Sequence, residues 1–366
     1  MSQRARVTFR DDAEKVAYVR REVNAASDAI RARFPLLDRQ NLVGASVMAA
    51  CVAALLANAW LYARGTLAWY VALPLAAFAT SLIHELEHDL IHLMYFRKTP
   101  WAYHLMMALC WLTRPGTINP WTRRRMHLHH HKVSGGESDL EEFGITNGER
   151  WGVKRLLMIA DGMLAVVLRP AAMRRKVRQY VAAQPVQDAS GRAQLRIEQV
   201  SSYMPVGHLY YALWHAFIVY HVGLFALHAF GYAVAAPTVV ARAMRVVDFL
   251  AVVWLGPNFV RSFCINFVSS NMHYYGDIDS RNVIQQTQVL NPWWLLPFQL
   301  FCFNFGSTHA IHHFVVRDPF YIRQLTAKTA HAALREAGVR FNDVGTFARA
   351  NRWGPYRPAR GAQADL

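Results

Sequence analysis

The chain alternates long apolar runs with polar, charge-rich stretches, and the run lengths set the first expectations. Asn41 to Ala63 is free of charge and long enough to cross a bilayer as a helix. Arg64-Gly65 makes a minimal turn. A second run starts at Thr66, stays apolar to Ile83 and keeps a helical pattern through Phe96. Together these runs predict a tight transmembrane hairpin. A third span is expected near 208–236, interrupted by Gly223 and four histidines, and a fourth near 246–272. The fourth carries Asp248 and Arg261, which must face protein or water rather than lipid.

The segments between the spans are polar. Within the middle stretch, Arg97 to about Gly207, the pieces Trp101 to Leu112 and Leu156 to Leu168 are apolar but too short or too flanked by charge to span. They suit interfacial or re-entrant helices. Residues 1–40 form a mixed-charge, helix-compatible arm, with the first apolar run too late for a signal-peptide core. The tail after Met272 is polar, with an aromatic stretch (Pro292 to Phe305) suited to an interface. The expected division is therefore an arm (1–40), a membrane domain (41–320) and a tail (321–366). No internal repeat or low-complexity segment stands out.

Charge then assigns orientation. The 366 residues include 40 Lys+Arg against 24 Asp+Glu, a formal net charge of +16. A basic excess of this kind raises nucleic acid as a partner. Its distribution argues otherwise: 9 Lys+Arg lie in the arm, 17 in the middle and 10 in the tail, against one (Arg64) and two (Arg242, Arg245) in the short connections. The positive-inside rule places both termini and the middle segment in the cytoplasm, with the protein multi-pass in an inner, cytoplasmic membrane. No nucleic-acid partner is expected. Cys51, Cys110, Cys264 and Cys302 lie far apart with no CxxC pair, against a disulfide framework, a zinc ribbon or an iron–sulfur cluster.

Histidine is where the candidate chemistry lies. The second span ends in S-L-I-H-E-L-E-H-D-L-I-H, placing His84, His88 and His92 on one helical face. R-M-H-L-H-H-H-K holds His127, His130 and His131 at i, i+3, i+4, and S-T-H-A-I-H-H-F holds His309, His312 and His313 at the same spacing. His273 sits just past the fourth span. By the orientation above, all of these reach one membrane face. Neutral imidazole suits iron, zinc and copper, and nine such rings are too many for one ion and about right for two. His129 lies off the shared face of its neighbours. His104, His208, His215, His221, His228 and His331 are not expected to bind metal. Glu137, Asp139, Glu141 and Glu142 read either as partners that orient ligand imidazoles or as a solvated acidic loop.

The series HxxxH, HxxHH, HxxHH on a bundle of about four spans resembles the membrane fatty acid desaturase and hydroxylase superfamily, over residues 41 to 320. The resemblance implies an all-α integral membrane protein of about four transmembrane helices, with a helical cytoplasmic cap carrying the histidine boxes. It implies a non-haem di-iron centre of two iron ions. His84 and His88 match the first box, His127, His130 and His131 the second, and His309, His312 and His313 the third. His273 occupies the place of the additional ligand, and H-Y-Y-G is similar to the H-Y-G segment of membrane alkane hydroxylases. Where those enzymes and stearoyl desaturases often have Asn four residues earlier, this chain has Ser269. The first pair stays open between His84/His88 and His88/His92, with H-E-L-x-H favouring the former.

The implied activity is O₂-dependent oxidation of a fatty acid or other long alkyl chain by C–H hydrogen abstraction. Its outcome is desaturation, hydroxylation or oxidative decarboxylation to a terminal alkene, and H-E-L-E-H-D-L-I-H loosely resembles the decarboxylating subgroup. Two electrons must come from outside. With no GxGxxG after a strand, no HPGG and no CxxC pair, a separate ferredoxin, rubredoxin or cytochrome with its reductase is expected. The basic face suits either docking of an acidic carrier or attraction to anionic lipid. The rival reading is a membrane zinc metalloprotease, since H-E-L-E-H is a literal HExxH with Glu85 as general base. It leaves both HxxHH groups unexplained.

Overall fold

The computed structural model describes residues 8–186 and 188–355, and among these it is built from helices, with only two isolated bridges in place of a sheet. Helix α1 (Asp12–Arg33) opens on an Asp11 cap that accepts from the Glu14 amide at 2.8 Å and ends on Arg31 and Arg33, both favourable to the helix dipole. Helices α2 (Gln40–Ala63) and α3 (Trp69–Ile91) form the expected hairpin around Gly65. The second span thus stops at Ile91 rather than Phe96: Leu93 and Phe96 turn the backbone left-handed and end the helix.

Next come α4 (Pro100–Thr113), α5 (Pro120–Val133), α6 (Leu140–Gly144), α7 (Val153–Ala160), α8 (Gly162–Val167), α9 (Pro170–Ala182) and α10 (Ala189–Val200). Helix α5, which carries the second histidine set, starts where Pro120 supplies a fixed φ and Asn119 accepts from the Trp121 and Thr122 amides. Helix α11 (Val206–Ala229) follows. The chain then stays helical from 238 to 272 as α12 (Thr238–Leu250), one π turn (Ala251–Leu255) and α13 (Gly256–Met272).

The π turn has a local cause. Pro257 has no N–H and its ring crowds the carbonyl four residues back, so the wider turn relieves the clash. Gly256 is needed there, because a Cβ would collide with the Ala251 carbonyl. The C-terminal elements are α14 (Val283–Gln286), α15 (Leu296–Phe301), α16 (Phe305–Phe314), α17 (Phe320–Glu336) and α18 (Thr346–Arg349).

Among the described residues, α2, α3 and α11 are each long and apolar enough to cross a membrane. The fourth expected segment is helical throughout but broken into the three pieces above. Helix α11 leaves Val219, Val222 and Phe225 exposed on its outer face, as lipid contact requires. Helix α3 is the opposite case. Its last three turns are buried against α2, α4, α5, α13 and α17, making it the axis on which the polar machinery is hung. The N-terminal arm and C-terminal tail share one core, in which Val19 and Val23 of α1 pack with Ile311 and Phe314 of α16 and Ala330 and Leu334 of α17.

Candidate metal centre

The structure brings nine histidines into two adjoining groups. One comprises His88, His92, His127, His131 and His312, the other His130, His273, His309 and His313, and within each group the ring nitrogens lie within 4.8 Å of one another. Nε2 of His92 is 3.1 Å from Nε2 of His127 and 3.0 Å from that of His312, while His309 and His313 face each other at 3.2 Å. The groups adjoin, with the His131 and His313 rings 4.9 Å apart.

The arrangement follows from where each element ends. His88 and His92 lie on the final turn and cap of α3, so they reach past the helix toward α5 and α16. The i, i+3, i+4 spacing puts three rings of α5 and three of α16 on facing surfaces. His273 is the first residue after α13, where the backbone turns extended and bridges to Thr287. Gly135 holds this corner to the second set: its amide donates to Asp139 and its carbonyl accepts from Gly276 at 2.9 Å. Its φ of +72° and its contact with the Tyr274 carbonyl leave no room for a side chain.

The partners of the rings' other nitrogens decide what the groups can do. Nδ1 of His127 donates to Glu141 at 2.9 Å, that of His130 to Asp139 at 2.9 Å, and that of His313 to Gln286 at 2.8 Å. His273 Nδ1 lies 3.1 Å from the Ser269 carbonyl and 3.2 Å from its hydroxyl, so the serine at the position where relatives often have Asn is a direct partner of that ring. These bonds leave Nε2 of each ring facing the other imidazoles of its group. Nε2 of His130 and of His273, and both nitrogens of His88, are buried without a hydrogen-bond partner among the described residues. Buried unpartnered nitrogens gathered in this way are costly unless something binds them.

Electrostatics agree. Burial, and then neighbouring imidazoles and arginines, hold His127, His131, His309, His312 and His313 far below the usual imidazole range, and His273 is pushed down to about 3. These rings are neutral, the form that binds metal. His130 is the exception: burial opposes its charging, but Asp139, with Glu142 and Glu141, raises it to about 10.

His84, expected as the first ligand, is outside both groups, while His92, the open alternative, is inside the first; Nε2 of His84 is buried without a hydrogen-bond partner among the described residues. His84 sits two turns deeper along α3, where Arg114 donates to its Nδ1 at 2.9 Å. Of the acidic quartet, Asp139 and Glu141 bond ligand-set rings, Glu142 lies 3.4 Å from His273, and Glu137 bonds only through its carbonyl, to Lys176. His129 bonds Ser138, His215 bonds Asp161, His221 bonds Asp248 and His331 bonds the Ser307 carbonyl, all away from the groups.

Two features were not visible in the sequence. Buried Arg323 of α17 donates to Nδ1 of His312 at 2.9 Å and to Glu85 at 3.1 Å, and lies 3.3 Å from Asp89. Two acids of the first box, Glu85 and Asp89, therefore face α17 and pin the third set. Two acids one turn apart in an apolar span signal some buried cation, but not one more than 230 residues away. The second feature is a cavity of about 850 Å³ that abuts both groups and is lined by His84, His88, His309, Arg261, Tyr210 and Phe305 among others. That volume is within the range of pockets that hold small ligands.

The sequence profile of the fatty acid desaturase family matches residues 66–345, most of the chain, and the protein belongs to that family. Neither a curated protein nor a solved structure matches it. Membership makes it an oxidoreductase of the desaturase/hydroxylase type with a lipid substrate, and with its three apolar helices places it among membrane proteins. The family is generally iron-dependent, and the two histidine groups suit that metal chemically.

Proposed function

We propose that the protein is an O₂-dependent di-iron oxidase that removes hydrogen from a C–H bond of a fatty acid or similar long alkyl chain. The observation that carries this reading is the pair of adjoining histidine groups, in which ring nitrogens converge and the buried Nε2 atoms of His88, His130 and His273 have no hydrogen-bond partner among the described residues. His88, His92, His127, His131 and His312 would hold one ion, and His130, His273, His309 and His313 the other. Two irons supply what no side chain can, the reduction of O₂ coupled to attack on an unactivated C–H bond. The protein's own part is positional. Asp139, Glu141 and Gln286 keep the rings in one orientation, Arg323 locks His312, and the cavity walls off the reacting carbons from water.

In this reading both termini and the histidine cap lie on the cytoplasmic side of an inner membrane, as the Lys+Arg distribution supports. A separate ferredoxin-, rubredoxin- or cytochrome-type carrier delivers two electrons per turnover. The zinc-protease alternative loses ground on geometry. An HExxH site needs its two histidines on one ion, yet His84 is not grouped with His88, and Glu85 is bonded to Arg323 rather than free to activate water.

Metal analysis of the purified full-length protein is the direct test, with about two irons per chain expected. Stoichiometric zinc without iron overturns the reading. Incubation with saturated fatty acids, O₂ and a reducing system, followed by mass spectrometry, then separates the outcomes: loss of two hydrogens marks desaturation, gain of oxygen marks hydroxylation, and loss of one carbon marks decarboxylation.

A further inference from the structure

Arg261 lies in α13 and lines the cavity, yet it is 1 % exposed and has no acidic partner among the described residues. Its one hydrogen bond goes to the hydroxyl of neighbouring Ser262 at 2.6 Å, and its Nε is buried without any partner. The nearby arginines are provided for. Arg114 pairs with Glu87, and Arg123 pairs with Glu87 at 2.8 Å and Glu141 at 3.5 Å. Of the other cavity acids, Asp161 is engaged by His215 at 2.6 Å and by the α8 amides, and Glu142 by Asn147 and, at 3.4 Å, by the His273 ring. The cavity lining carries five guanidinium groups (Arg123, Arg174, Arg178, Arg196 and Arg261) against three carboxylates (Glu141, Glu142 and Asp161), and Arg261 is the buried one among them with no ion pair among the described residues. A buried charge without a counter-ion costs several kcal/mol.

We propose that Arg261 is the anchor for the carboxylate of the substrate, so that this protein takes free fatty acids rather than esters, thioesters or alkanes. The proposal rests on the oxidase reading above and names the substrate class of that same site. A guanidinium fork matches a carboxylate with two parallel charge-assisted hydrogen bonds, which supplies the missing counter-charge. The anchor also sets direction. Arg261 and His84 line the same cavity, and His84 stands one helical turn from His88 on α3. A chain held there presents the carbons nearest its carboxyl group to the histidines. Exposed Arg174, Arg178 and Arg196 at the cavity edge form a competing basic site, but they are solvated and need no ligand.

Binding of dodecanoic acid and of its methyl ester to full-length, iron-loaded protein, measured without O₂ or electron donor, tests this. The wild type should prefer the acid by about ten- to a hundredfold. Arg261→Gln should abolish the preference, and Arg261→Lys should keep part of it. A wild type without preference overturns the proposal, as does a preference that survives R261Q but disappears in the triple variant R174Q/R178Q/R196Q. Should R261Q fail to fold, carboxyl-labelled fatty acid on the wild type decides by NMR. A bound carboxyl titrating well below the free acid supports the anchor, and one titrating like the free acid overturns it. Failure of the anchor leaves iron content and oxidation of uncharged chains untouched, whereas failure of the oxidase reading shows as missing iron with the acid preference intact.

Discussion

Asp139 accepts a 2.9 Å hydrogen bond from Nδ1 of His130, and its second oxygen caps α6 through the Glu142 amide. One buried carboxylate thus orients a ring of the second group and starts the helix that follows the second histidine set. Asp139→Asn keeps the shape and can still cap, but it weakens the charge that polarises His130. Extrapolated above the His130 titration, where no proton competes, iron affinity should fall about ten- to a hundredfold, the usual cost of losing such a partner, whereas at pH 7 the loss of the competing proton offsets part of that fall. Metal titration with a competing chelator measures it, alongside circular dichroism to show that α6 persists.

The first box makes the sharpest distinction between candidate ligands. His92 closes the five-membered group, while His84 is bonded to Arg114 two turns away. His92→Ala should lower iron content toward one per chain, and His84→Ala should leave it near the wild-type value. Metal analysis of the two variants side by side is sufficient, and the reverse pattern would restore His84 as the ligand.

Proton release on iron loading follows from the contrast between His130 and its neighbours. Raised to about 10, His130 is protonated in the metal-free protein at pH 7, whereas the other rings of its group are neutral. Iron must displace that single proton. Apparent affinity should therefore rise about tenfold per pH unit above pH 7 and flatten near 10. The sign for the metal-free protein is opposite. Because the folded value is above the unfolded one, the His130–Asp139 contribution to stability is complete below about 6.5 and is lost as pH rises through about 10. Calorimetry in buffers of different ionisation enthalpy counts the protons, and Asp139→Asn should reduce the number.

How far the sequence announced this site depends on the range of the interactions. The i, i+3, i+4 spacing of His127/His130/His131 and His309/His312/His313 is a local property of helices, so two sets of converging rings were legible before any coordinates. The hairpin of α2 and α3 was legible for the same reason. The choice between His84 and His92 was not, because both continue one face and only the end of α3 at Ile91 decides which reaches the other groups. Arg323 and Gln286 were invisible, since nothing local ties α17 or α14 to the boxes. The fourth span shows a third case. Its helical content was plain, but the π turn before Pro257 depends on how the chain relieves a backbone clash.

The last prediction concerns the coupling of the chain's two ends to the metal site. Leu334 of α17 is fully buried in the core that joins α1 to α16, the helix bearing the third histidine set. On the same helix Arg323 bonds His312, and Asp318 just before it binds Arg31 at 2.7 Å and Ser27 at 2.5 Å. Leu334→Ala leaves every one of these polar contacts in place and opens a cavity, so it should cost about 2–5 kcal/mol. Because the core lies outside the three apolar helices, the loss should appear as a lower melting temperature of the helices it joins while iron per folded chain stays unchanged. Arg323→Met, on the same helix, should act on the histidines as well as on stability. It removes the clamp on His312 and strands Glu85 and Asp89 as buried acids, so iron content should fall even at temperatures where the fold persists. Parallel thermal melts and metal analysis of the two variants separate packing from positioning at the third box.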